Sequence, residues 1–109
     1  MNKNIDTMKN FLFETIIKLQ TVKDCEMLFA DLCTVNEVDQ MAQRVQAAKL
    51  LLEKKTYNQV IAETDISSAT LSRVSTCVRH GAGGYKKFVE FDGESARQNF
   101  DDEKKNELK

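Results

Sequence analysis

Proline is missing from all 109 residues, histidine occurs once and glycine four times. With no proline to remove a backbone donor, nothing of that kind interrupts a helical repeat. Strand-like alternation of apolar and polar residues is scarce as well. The lone histidine, His80, leaves no Ser-His-Asp set and no HExxH pair. Enzyme chemistry is therefore not expected, and no residue is assigned a catalytic role. Three cysteines, Cys25, Cys33 and Cys77, form neither an even set nor a CxxC pair, and Cys25 and Cys33 have no histidine near them. That pattern does not hold zinc; it reads as small buried hydrophobes in a reducing cytosol. No metal and no cofactor are expected. A membrane span would need roughly 18 consecutive apolar residues, and none exists. The N-terminus has no apolar stretch leading to a small-residue cleavage site. The expectation is a cytoplasmic protein without membrane contact.

The composition that remains is globular, with 41% hydrophobic and 30% charged residues. The length suits one compact domain, taken as residues 1–91. Beyond it the chain, 92–109, is polar and charged, with Ala96, Phe100 and Leu108 its only apolar side chains. Such a segment reads as a disordered, solubilising tail. The net charge of −1 hides an uneven distribution. Residues 1–39 hold four basic and seven acidic groups, residues 40–90 eight and four, and residues 91–109 four and six. The positive field lies in the middle, as phosphate contact requires. Its excess is modest, so strong binding to a polyanion calls for two copies.

Apolar residues trace the helices. Ile5, Met8, Phe11, Leu12, Ile16, Leu19 and Val22 mark a first amphipathic helix from about Thr7 to Gln20. Thr21 and Asp24 start a short second helix carrying Met27, Leu28, Phe29 and Leu32. Thr34 and Glu37 form a T-x-x-E capping box. Behind it Val38, Met41, Ala42, Val45, Ala48, Leu51 and Leu52 trace the longest helix, ending near Glu53–Lys55 with two lysines on its negative dipole end. His80-Gly-Ala-Gly-Gly84 breaks the chain. Tyr85, Phe88, Val89 and Phe91 then form a short apolar segment, read as helical.

The most informative stretch lies between these, over about 56–78. It reads as a short helix, a tight turn at Thr64–Ile66, and a second helix capped by Ser67. Val60, Ile61, Ala62 and Ile66 face Ala69, Leu71 and Val74, with Ala62 small where two steeply crossed helices must approach. This is the anatomy of a helix-turn-helix, whose second helix enters the major groove of double-stranded DNA. An ordinary αα-corner is the plainer reading. The outer face of the second helix favours DNA, because Ser68, Thr70, Ser72, Arg73 and Thr76 are short hydrogen-bonding groups plus one guanidinium. Ser67 is an N-cap that can also touch phosphate. Arg73 has three possible partners: a phosphate, a base edge, or Asp65 or Glu63. Tyr57 and Asn58 open the first helix toward the backbone. Arg79 flanks the duplex, as can Arg44, Lys54 and Lys55, each of which also reads as a plain solvated charge. His80 reads as a dipole partner at the helix end. The apolar surplus at both ends of the chain predicts a homodimer, with two reading helices about 34 Å apart.

From Thr34 to about Glu90 the chain resembles the Trp repressor-like superfamily, and within it the small, uncharacterised homologues of Gram-positive bacteria. The matching residues are Thr34–Glu37, Gln43-Arg-Val45 leading into Leu50-Leu-Leu52, and Ala69-Thr-Leu-Ser-Arg73. The resemblance implies an all-α, six-helix fold, an intertwined homodimer with a reader on each side, and repression of transcription by operator binding. It also marks an effector pocket at Arg44, Gln46, Arg73 and Val74. In the tryptophan-sensing repressor an arginine stands at the position of Gln46 and takes the ligand's carboxylate. A glycine stands at the position of Val74 and leaves room for the indole. A neutral amide loses a charge-assisted contact, and a branched side chain overfills a flat slot. Tryptophan is therefore not expected as the effector. The rival reading is a structural or protein-interaction module whose helix-turn-helix no longer reads DNA.

Overall fold

The computed structural model describes residues 4–92, and these carry six α-helices and no strand. The helices are α1 (Ile5–Ile16), α2 (Val22–Leu32), α3 (Val35–Leu52), α4 (Tyr57–Thr64), α5 (Ser68–His80) and α6 (Gly84–Phe88). The all-helical, six-helix expectation is met. Two compact units divide the chain, Met1–Val38 and Asp39–Lys109. The tail expected over 92–109 lies, apart from Asp92, outside the described residues.

In the first unit, threonines set the helix starts. Thr21 accepts the N–H of Asp24 at 3.0 Å, while the Asp24 carboxylate reaches back to the N–H of Gln20 at 3.1 Å. The Gln20 N–H engaged here is one that a longer α1 would consume. The first helix accordingly runs Ile5–Ile16 rather than Thr7 to Gln20, and i−3 bonds from Lys18 and Leu19 tighten its exit. Thr34 and Glu37 make the expected capping box in both directions, at 2.8 and 3.1 Å. The backbone and hydroxyl donors of Thr34 hold the Glu37 carboxyl below its ordinary pKa. Neither α1 nor α2 contains a buried residue. Phe11, Phe13, Ile17, Val22 and Met27 are more than half exposed.

The second unit has a closed core of Ala47, Ala48, Leu50, Leu52, Val60, Ile66, Leu71, Val74 and Val78. Its α3 segment faces inward along a line displaced around the helix from the expected stripe. Ala42 and Val45 are exposed, and Ala47 and Leu50 are buried in their place. Gln43 lies on this inner side, and its side-chain amide donates to the carbonyl of Thr64 at 3.1 Å. That carbonyl is one of those a helix C-terminus leaves unpaired. A polar residue thus belongs to the inner side of α3, which an apolar count cannot reveal. The helix also stops sooner than Glu53–Lys55. Lys49 is the base in its last turn, and Lys54 and Lys55 follow the end.

Lys49 pairs with Glu53 at 3.1 Å, and Glu53 accepts the backbone N–H of Asp92 at 2.9 Å. This clasp ties the segment after α6 to the end of α3. Burial would raise the Glu53 pKa, but the Asp92 N–H and the Lys49 ammonium outweigh it and lower the value. Tyr85, Val89 and Phe91 pack on the core. Phe88 is 76% exposed, with the Lys87 ammonium 5.5 Å from its ring centre. The cysteines depart from their expected burial: Cys25 is exposed, Cys33 and Cys77 are half-buried, and all three are free thiols. Cys25 sits on a helix that buries nothing, so its small size gains it no interior place.

Candidate nucleic-acid interface

The helix-turn-helix begins with a capping box. Thr56 accepts the N–H of Gln59 at 3.2 Å, and the Gln59 side chain accepts the N–H of Thr56 at 2.8 Å. The T-x-x-Q spacing announces this box as plainly as Thr34 and Glu37 announce theirs. It fixes Tyr57 and Asn58 as the first two residues of α4, both exposed.

The turn is organised by one hydroxyl. Thr64 donates to the carbonyl of Val60 at 2.7 Å and accepts the N–H of Ile66 at 3.2 Å. Asp65 takes a left-handed conformation, φ 60°, and its N–H donates to the carbonyl of Ile61. Aspartate tolerates that region better than most residues. The chain reverses there, and Ile66 drops into the core at 3% exposure. Ser67 caps α5 by accepting the N–H of Thr70 at 3.2 Å. Val60 and Leu71 fill the space between the two helices, and both are fully buried. Ala62 and Ala69, expected on the inner side, are exposed instead. The larger neighbours Val60 and Leu71 occupy the apposed faces, so no small residue is needed at the approach.

On α5 the inward positions are Leu71, Val74, Ser75 and Val78, a spacing of three, one and three. The remaining face turns Ser68, Ser72, Arg73, Thr76 and Arg79 to solvent, with Thr70 half-buried. These predicted residues therefore share one side of one helix. Their hydrogen-bonding freedom differs. Ser67 donates to the hydroxyl of Thr70 at 2.9 Å, which leaves the Thr70 proton available. Thr76 donates to the carbonyl of Ser72 at 3.0 Å, so it offers a partner mainly its oxygen. Arg73 makes no ion pair with Asp65 or Glu63, the local partners weighed for it. Arg79, in the last turn of α5, is exposed too.

The four residues marked for an effector differ in burial. Val74 is 1% exposed and part of the core. Gln46 and Arg73 are exposed and Arg44 is half-buried. Sequence reasoning gave no structural role to Thr56 or Ser75 and named Gln43 only as a point of resemblance. The first carried a readable capping signal, and Ser75 lay on the inward spacing of α5. Gln43 carried none, because its partner lies 21 residues away.

A helical chain with this capped helix–turn–helix unit is built like a DNA-binding regulator. The match to known proteins is more specific: residues 7–92 fit the family described as Trp repressor protein, and the chain belongs to that family. It is 41% identical over 75 residues to the uncharacterized protein YerC of Bacillus subtilis, covering 69% of this chain and 72% of that one. A proposed Trp repressor from Staphylococcus aureus matches in structure with a TM-score of 0.71 and 37% identity, covering 72% of this chain and 79% of the other. A TrpR-like protein from Eubacterium eligens gives 0.74 and 34%, covering 80% and 90%. The family is one of DNA-binding regulators rather than enzymes. Among the described residues, no helix is long and apolar enough to cross a membrane.

Proposed function

We propose that this protein is a cytoplasmic transcriptional repressor that reads double-stranded DNA as a homodimer and does not depend on tryptophan. Residues 1–91 act as its DNA-binding domain. The observation that carries the reading is the solvent face of α5, where Arg73 has no ion-pair partner among the described residues and stands beside short hydroxyl donors. Arg73 and Arg79 meet phosphates, Ser68 and Thr70 reach base edges or phosphates, and Ser67, Thr76, Tyr57 and Asn58 approach the backbone.

The dimer draws its support from α1 and α2, whose exposed phenylalanines and aliphatic side chains form the kind of surface a second copy covers. Two copies also double the basic field of the middle segment. Against tryptophan stand the buried Val74 and the neutral Gln46.

Selection of bound fragments from random duplex DNA tests the function directly, and a palindromic element is expected. No enrichment would favour a protein-interaction module, to which the thin basic content of α5 also points. Arg73→Ala should then lower the salt slope of DNA binding by about one unit. Loss of discrimination with an unchanged slope would move Arg73 to base readout. Calorimetry with millimolar tryptophan should show no saturating heat; one ligand per chain with tighter DNA binding would overturn that part.

A further inference from the structure

The end of α3 holds a lysine in a backbone conformation that favours glycine. Lys54 has φ 69°; its N–H donates to the carbonyl of Leu51 and that of Lys55 to the carbonyl of Leu50, both at 3.0 Å. This left-handed close satisfies two helix-end carbonyls, and glycine usually performs it. A side chain kept there is worth a functional question. Lys54 and Lys55 line a concavity of about 300 Å³, together with Arg79 from the last turn of α5. Three cations thus border one hollow, and none of the residues lining it is acidic.

Two further observations give the hollow a direction. Thr56 and Tyr57, the cap and first residue of α4, form part of its wall. The capping box engages the N–H groups of Thr56 and Gln59. Those of Tyr57 and Asn58 have no acceptor among the described residues and stand at the positive end of the helix dipole. Independently, Ser75 lines the same hollow at 6% exposure, and its hydroxyl makes no hydrogen bond among the described residues. Thr64 and Thr76 bond back to their own helices, whereas Ser75 does not. A buried hydroxyl without a protein partner is uncommon and leaves a donor open to whatever enters the hollow.

We propose that this hollow binds the terminal phosphoryl group of a small phosphate monoester. Lys54, Lys55 and Arg79 supply charge, and the Tyr57 N–H and the Ser75 hydroxyl supply donors. Leu51 and Val78 supply apolar wall for the carbon portion of the ligand. A DNA backbone phosphate offers the same chemistry but is esterified on two sides. Reaching a hydroxyl as enclosed as that of Ser75 suits a phosphate carried on a single stem. The site stands without the DNA reading. That reading adds only a consequence: Tyr57 and Arg79 belong to both surfaces, so an occupant would alter DNA affinity.

Phosphorus NMR of inorganic phosphate titrated with the full chain at constant ionic strength is the test, with circular dichroism confirming that each variant is folded. Saturable broadening is expected, reversed by glucose 6-phosphate. Ser75→Ala, and separately the surface change Lys55→Ala, should each weaken binding by about tenfold, the worth of one hydrogen bond to a charged group. Absence of saturation, or equal saturation in both variants, would overturn the site. Displacement by dimethyl phosphate as efficient as that by glucose 6-phosphate would also overturn it, by assigning the hollow to the DNA backbone. Failure of the random-DNA selection would leave these outcomes unchanged, so the two readings fail separately.

Discussion

Compare α1 and α2 with α4 and α5. All four are amphipathic and three have a side-chain cap, yet the second pair closes over Val60, Leu71 and Val74 while the first buries no residue at all. The difference is not one of local helix-forming signal. It lies in burial: the apolar faces of α4 and α5 close on a core, and those of α1 and α2 stay exposed. Capping and periodicity create a helix; only a partner surface makes its apolar face a core. The second unit carries a closed core, and the first leaves its apolar faces exposed.

The sharpest way to expose the contrast is to remove equal kinds of side chain from each region. Leu71→Ala empties a fully buried position and should cost about 2–5 kcal/mol, read by chemical denaturation. A cost below about 1 kcal/mol would show that the core around α5 is looser than its burial implies. Phe11→Asp, at a position 68% exposed, tests the other side. If a second copy covers α1, this variant should sediment near the single-chain mass of 12.4 kDa while the parent sediments at twice that. A parent already at the single-chain mass would end the dimer. Next in size is Gln43→Ala, which leaves the Thr64 carbonyl without its amide donor. A loss of about 1–2 kcal/mol is expected, with DNA affinity falling alongside because the turn before α5 is loosened. Unchanged melting would mean that water replaces the amide without cost.

The smallest effect is one of pH. The folded Glu53 carboxyl has a lowered pKa, so its stabilising contribution is present above the ordinary value of 4.5 and lost as pH falls through the folded value. Lys49 is raised by its bond to Glu53 and keeps its charge throughout that range. Acid titration of melting temperature should therefore show a small loss below the ordinary carboxylate range that Glu53→Gln reduces, the share of Glu37 remaining. A parallel fall in both proteins would assign the acid sensitivity to other groups.

Much of the helix-turn-helix was legible because its signals are local. Ser67 three residues before Thr70, a turn at Thr64–Ile66 and inward Leu71 and Val74 all lie within a few positions of one another. The exposed reading face follows from the same count. Signals acting across the chain were not legible. Gln43 reaches Thr64 from the inner side of α3, and a stripe drawn from apolar residues alone put Val45 inside and left Ala47 and Leu50 out. Ala62 illustrates a second limit: small size is compatible with a close approach but does not require one. The hollow beside Ser75 needs the end of α3, the start of α4 and the last turns of α5 together, and no spacing rule joins these.

Val74 has a consequence for how such a regulator is governed. A metabolite seated under a reading helix can leave, and its departure is a signal. A valine at 1% exposure is part of the polymer and cannot dissociate. Whatever packing it provides beneath α5 is present in every molecule from the moment of folding. In the homodimer proposed above, occupancy of a DNA site then depends on abundance, and steeply, because two chains must meet before either reads. Gene dosage and turnover then set the baseline occupancy, which an occupant of the hollow beside Ser75 would shift.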